Sequence, residues 1–320
     1  MTRDDRTPTM HRVSWLLACV FALWFALVPA THAQVPGDEA EEGVLVLGRI
    51  SDDPKAHYEQ LKPLLDYLVP RMADVGIRRG RILMAHDLQQ MASYLRRGSV
   101  DLISETAGNS SVLEGRGVAH AFVIAEREGD VRYHSLFFVR NDSPIQTLQD
   151  LRGHTVAFQS PNSTSAYYLP AAQLLGMGAA LEPLLSPMDK PVPGRIGYLF
   201  ARTELNVATW VHKGLVDAGV LSNQDWVDPR RVPPAFVRDM RIIGRSEDVP
   251  RAVMLARAGL DPRVEARLRE LLLAAADDPA AADALRKFMG TSRFVAIEPR
   301  DRAALSRLGQ GVQRVRREVE

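Results

Sequence analysis

PNSTSAYYLP, residues 161–170, follows the apolar run HTVAFQ (154–159) and decides how the chain is read. Four small hydrogen-bonding side chains, Asn162, Ser163, Thr164 and Ser165, stand where a strand gives way to a helix that turns aromatic and apolar. At a helix start the first four backbone N–H groups lack intrahelical partners, and the helix dipole adds roughly half a positive charge. One serine or threonine is enough to cap such an end. Four in a row, with no lysine or arginine among them, can wrap an oxyanion in neutral donors, as helix N-termini do for phosphate. Spacing alone leaves capping and anion binding equally open.

The flanking sequence alternates strand and helix. GVLVLGRI (43–50) reads as a buried strand, and Leu61, Leu64, Leu65 and Leu68 fall at helical spacing after it. GRILMA (80–85), the helix DLQQMASYLRRG (87–98) with Gly98 as its stop, and the strand SVDLIS (99–104) follow. The pattern restarts with RYHSLFFVRNDSP (132–144) as one long strand and IQTLQDLRG (145–153) as a short helix. Beyond PNSTSAYYLP come a proline-rich loop around SPMDKPVPG, a helix NVATWVHKG and a strand LVDAGVLS. Such alternation predicts an α/β chain with mainly parallel sheets covered by helices. Lobe 1 is expected over 43–138 plus 244–300 and lobe 2 over 139–243, with a helical extension over 301–320. Two segments crossing near Val139 and Ile243 leave a cleft between the lobes, where ligands bind in such folds.

The chain has 320 residues, 46% hydrophobic and 25% charged, too many for one average domain. Residues 1–33 differ in kind. Arg12 precedes an unbroken apolar run from Val13 to Val28, and Thr31 and Ala33 supply small residues for cleavage, the pattern of a secretory signal. The run is short of the roughly 20 residues that span a bilayer. LLAC, ending at Cys19, is a weaker lipoprotein box, because few apolar residues precede it. Removing residues 1–33 takes away three arginines and two aspartates, which leaves 37 basic against 37 acidic residues. That balance calls for neither nucleic acid nor an anionic membrane. Cys19 is the only cysteine, so there is no disulfide framework and no cysteine-based metal site. Six histidines from His57 to His212 are scattered without close pairs, no G-x-S-x-G turn surrounds the hydroxyl run, and no glycine-rich nucleotide loop is present.

With these residues in view, the chain resembles the phosphate/phosphite/phosphonate solute-binding proteins of ABC importers, two-lobed periplasmic binding proteins of type II. PNSTSAYYLP is similar to that family's P-x-STSG-aromatic stretch, with Ala166 in place of the usual glycine. RYHSLFFVRNDSPIQTLQDLRGHTVAF, GLVDAGVLS and AHDLQQMASYLRRGSVDLI are similar to its crossover, return strand and lobe 1 segments, so the likeness covers about residues 44–300. The resemblance implies a type II fold and assigns Ser163, Thr164 and Ser165 to oxyanion binding, with Asn162, Tyr167 and Thr106 beside them. It also places Leu88, Glu105, Glu204, Gln224 and Ala252 where aminophosphonate binders carry two aromatics, a histidine and two acids. A glutamate facing a dianion is costly unless it is neutralised, so Glu105 and Glu204 either point outward, hold a proton, or meet a cationic group on the ligand. Arg251, beside Ala252, reads as a surface residue.

The expected function is capture of a small anion or zwitterion in the periplasm and its delivery to an ABC permease. The chain is expected to act as a monomer, with no cofactor, no metal and no catalysis, and to meet the membrane only through its partner or an uncleaved signal. A ligand-sensing module for a membrane receptor or kinase, and an enzyme on the same scaffold, are the alternatives.

Overall fold

The structure, a computed structural model, describes residues 42–320; the expected secretion signal over 1–33 and Cys19 lie outside the described residues. In chain order, lobe 1 begins with β1 (Val44–Ile50), α1 (Pro54–Leu68), β2 (Arg79–Ala85), α2 (Leu88–Arg97), β3 (Leu102–Glu105), α3 (Ala107–Gly115) and β4 (Ala119–Arg127). The chain crosses through β5 (Arg132–Tyr133) into β6 (Ser135–Arg140), β7 (Thr155–Phe158), α4 (Leu169–Gly176), β8 (Ala180–Pro183) and β9 (Arg195–Phe200). Lobe 2 continues with α5 (Glu204–His212), β10 (Ala218–Ser222), α6 (Asn223–Val227), α7 (Pro234–Asp239) and β11 (Met240–Arg245). β12 (Val249–Pro250) returns the chain to β13 (Val253–Arg257), α8 (Pro262–Ala274), α9 (Ala282–Lys287), β14 (Thr291–Val295) and α10 (Pro299–Glu318).

Each lobe holds one six-stranded sheet, ordered β14-β4-β13-β3-β1-β2 and β11-β6-β10-β7-β9-β8. Both are mixed rather than mainly parallel, because the strands nearest the crossings run antiparallel to their neighbours. β1 is apolar without alternation because helices cover both faces. Leu45 and Leu47 pack toward Leu61, Leu64 and Leu268, whereas Val44 and Val46 pack toward Met91, Leu95 and Leu113. Local signals set the helix ends. The Asp87 carboxylate accepts from the Gln90 N–H at 2.8 Å, and Gly98 closes α2 in the left-handed region at φ 74°.

The crossings differ from the expectation. RYHSLFFVRNDSP is two strands, and the chain changes lobe at Arg132–Tyr133, not near Val139. The return lies at Val249–Pro250, not near Ile243. These two short pieces pair with each other, Val249 opposite Tyr133 and Pro250 opposite Arg132, as a two-stranded hinge ladder. β6 and β11 therefore belong wholly to lobe 2, where they pair in antiparallel register. IQTLQDLRG forms only a 3₁₀ turn at Gln149–Leu151.

Candidate functional site

In mixed α/β sheets, ligand sites form beyond the carboxyl ends of the parallel strands. β1, β3 and β4 run in the same direction, and their carboxyl ends carry Arg49, Glu105 and Arg127; Arg251 enters the same edge just before β13. Ser104, itself buried, joins two of these arginines. Arg49 Nη1 donates to its carbonyl at 3.3 Å and Arg127 Nη2 to its hydroxyl at 2.7 Å. The Nε atoms of Arg49 and Arg127 are buried and have no hydrogen-bond partner. Burial, and then the like charges of Arg251 and Arg49, hold the Arg127 guanidinium down to about 9, with Glu105 and Tyr133 opposing. Three arginines thus converge on this strand edge against one buried carboxylate.

The hydroxyl run approaches this edge from lobe 2. Thr164–Tyr168 form a single π-type turn with a kink at Ala166 (φ −110°, ψ 17°), a local irregularity frequent at functional sites. Ser163 is its cap, its Oγ accepting from the Ala166 N–H at 3.1 Å, so the capping reading holds for this residue. Thr164 is 1% exposed. Its Oγ1 accepts from the Gly108 N–H at 2.8 Å, a bond from one lobe to the other at the start of α3. The Thr164 oxygen is therefore engaged as an acceptor by the protein itself. Ser165 is buried, and its carbonyl accepts from Ser135 Oγ at 2.6 Å. The hydroxyl of Tyr133, in the hinge, lies near Thr164 and Ser165, and burial pushes its pKa up.

The remaining expected residues divide. Thr106 precedes the first turn of α3, and its buried Oγ1 has no partner. Glu105 faces inward, accepts from Asn109 Nδ2 at 3.0 Å and is opposed by Arg127. The Arg127 guanidinium is set against its charge. Glu204 lies on the first turn of α5, 3.5 Å from Arg231 Nη1, an arginine that also pairs with Asp225 and Asp228. Gln224 is wedged at the hinge: Nε2 donates to Asp130 at 2.7 Å while Oε1 accepts from Arg251 Nε at 2.5 Å. Arg251 lies over the Tyr133 ring, 5.2 Å from its centroid, so it is not a free surface residue. Asn162 is exposed. Tyr167 is fully buried among Phe158, Tyr198 and Phe200, a member of the lobe 2 core rather than a cleft wall. A helical period does not say which of two adjacent tyrosines turns inward; Tyr168 is the one beside Gly108.

A family model described as "ABC transporter, phosphonate, periplasmic substrate-binding protein" matches residues 48–301. The chain belongs to that family. As a phosphonate-type substrate-binding protein it shares 23% identity over 273 residues with the phosphate-import protein PhnD of Mycolicibacterium smegmatis, covering 82% of this chain and 81% of that protein. Among solved structures, XAC2383 from Xanthomonas citri bound to chloride is 57% identical, covers 87% of this chain with all of its own, and superposes with a TM-score of 0.81. The same protein bound to ATP matches at 56% identity and the same TM-score. PhnD1 from Prochlorococcus marinus in complex with methylphosphonate shares the fold, at TM-score 0.58 and 17% identity over 85% of this chain and 98% of its own. Binding proteins of this family are periplasmic, work with ABC transporters and are not enzymes. Among the described residues no helix is long and apolar enough to cross a membrane, and no group of three or more metal-ligating side chains is placed to hold an ion.

Proposed function

We propose that the chain captures a phosphate- or phosphonate-bearing anion at the inner edge of lobe 1 and releases it, chemically unchanged, to an ABC permease. The observation that carries this reading is Arg127: a buried guanidinium with an unpartnered Nε, crowded by two further arginines, is costly to the fold unless an anion completes it. Arg49, Arg127 and Arg251 supply the charge, and Thr106 Oγ1 and Ser165 supply hydroxyls. Thr164 and Tyr133 bring the lobes together, Gln224 orients Arg251, and Ser163 caps the turn. Cleavage after Ala33 frees the protein into the periplasm.

Titration calorimetry with inorganic phosphate and methylphosphonate tests this reading, and mass spectrometry of the recovered methylphosphonate tests that no turnover occurs. An unbound chain, or a hydrolysed ligand, overturns it. A second ligand, a nucleoside triphosphate, is favoured by the ATP complex of XAC2383 and by the number of converging arginines. Titration with ATP and methylphosphonate beside phosphate ranks the three.

The pH response carries a definite sign. The anion needs Arg127 charged, and Arg127 sits low, at about 9, so phosphate affinity declines as pH rises through about 9. Flat affinity from pH 8 to pH 11 in the titration (an arbitrary window of about three units around that value) contradicts direct contact with this guanidinium. Ser163→Ala separates capping from binding: melting should report a loss of about 1 kcal/mol, the ordinary value of a cap, with phosphate affinity unchanged.

A further inference from the structure

The last helix lies largely beyond the region the family model covers, which ends at residue 301, yet it is among the best-seated elements of the fold. α10 lies in the seam between α3 of lobe 1 and α4 of lobe 2 and touches β12 of the hinge. Leu308, Val312 and Val315 repeat at helical spacing and are almost fully buried, continuing the stripe of Ala304 and Leu305. They belong to a hydrophobic cluster that also holds Leu113 from α3 and Leu169 and Leu174 from α4, so one apolar core spans both lobes through this helix.

Close approach on both sides depends on small residues. A Cβ at Gly309 would stand 3.6 Å from Ser111 Cβ on α3, and one at Gly311 would stand only 2.7 Å from Ala172 Cβ on α4. The second distance is shorter than side-chain carbons adopt, so nothing larger than glycine fits there without movement. Ion pairs fix the helix to the crossing segments. The buried Asp301 holds Arg132 of β5 at 2.6 Å, and Arg307 holds Glu247, between β11 and β12, also at 2.6 Å. Near the carboxyl end, the charge of Glu320 reaches the lobe 2 tyrosines Tyr167 and Tyr168.

We propose that α10 is a strap that holds lobe 1 to lobe 2, so that the lobes part only when the helix leaves its seat on one of them. The docked helix favours the arrangement in which Thr164 reaches Gly108, and the affinity of the cleft is set in part by how firmly the strap is seated. Any partner that draws the carboxyl-terminal end away would open the cleft from outside the ligand site.

The test uses the full chain with Cys19→Ser and spin labels at Arg96→Cys in lobe 1 and Lys213→Cys in lobe 2. Electron–electron distance measurements are made without phosphate. The parent should give one narrow distribution; Gly311→Leu, and separately Leu308→Ala with Val312→Ala, should broaden it and move it. Circular dichroism confirms that each variant is folded, and the double alanine variant adds no bulk if Gly311→Leu misfolds. Folded variants that keep the parent distribution overturn the strap. Where the parent binds inorganic phosphate, moving the closed fraction to a tenth lowers apparent affinity about tenfold. A parent that does not bind phosphate sinks the ligand reading alone, since the strap is judged on the distances.

Discussion

Arg127→Met lowers affinity for inorganic phosphate by roughly 100-fold, or about 3 kcal/mol, the scale on which a desolvated charge partner is lost. The side chain lies at the carboxyl end of β4, held by Ser104 and facing Glu105, with Arg49 and Arg251 close enough to oppose its charge. Methionine fills similar length but leaves the buried Glu105 carboxylate without the Arg127 charge set against it, so the variant is also expected to lose stability. Melting experiments separate the two effects. Phosphate at 100 times the parent's dissociation constant stabilises the parent by about 2.7 kcal/mol, and at the same concentration that rise should shrink to about 0.4 kcal/mol in the variant. An unchanged rise would mean that the anion binds elsewhere.

Gly108→Leu produces the second large effect, by geometry rather than charge. A Cβ at this position would stand 2.7 Å from Thr164 Oγ1 and 3.2 Å from Tyr168 Cδ2, both across the gap between lobes. Leucine is a better helix former than glycine by nearly 1 kcal/mol, so α3 and lobe 1 are not weakened. The loss falls on the approach of the lobes. Phosphate affinity should drop by at least about tenfold, or 1.4 kcal/mol, and small-angle scattering should show a larger radius of gyration. Parent-like affinity and radius in a folded variant would show that the Thr164–Gly108 contact does not govern closure.

The alternation of strands and helices was legible in the sequence because both-face burial and capping are local. β1 is an unbroken apolar run, and Asp87 and Gly98 bracket α2 as their chemistry requires. The hinge was not legible. β5 and β12 are two residues each and owe their conformation to one another, so within RYHSLFFVRNDSP the break after Tyr133 has no signal of its own. The serine and threonine run gave no sign of which partners its oxygens take: Ser163 Oγ accepts from the Ala166 N–H and Thr164 Oγ1 from the Gly108 N–H.

Arg49 and Arg127 were passed over, and Arg251 was read as a surface residue, because the three come from separate strand ends and share no spacing. One signal was available: GVLVLGRI and AHAFVIAER each carry an arginine within the last two residues of an apolar strand, at the carboxyl end where α/β sheets bind ligands. Glu105 misled for the complementary reason. Its carboxylate does face inward, and only the fold shows the guanidinium set against it.

A crystal structure of the protein grown with arsenate, a phosphate analogue whose arsenic is located by anomalous scattering, tests the central claim most directly. The peak is expected among the guanidinium groups of Arg49, Arg127 and Arg251, within hydrogen-bonding distance, about 3 Å, of at least one of them. An ordered arsenate seated elsewhere, with these three arginines untouched, would contradict the account.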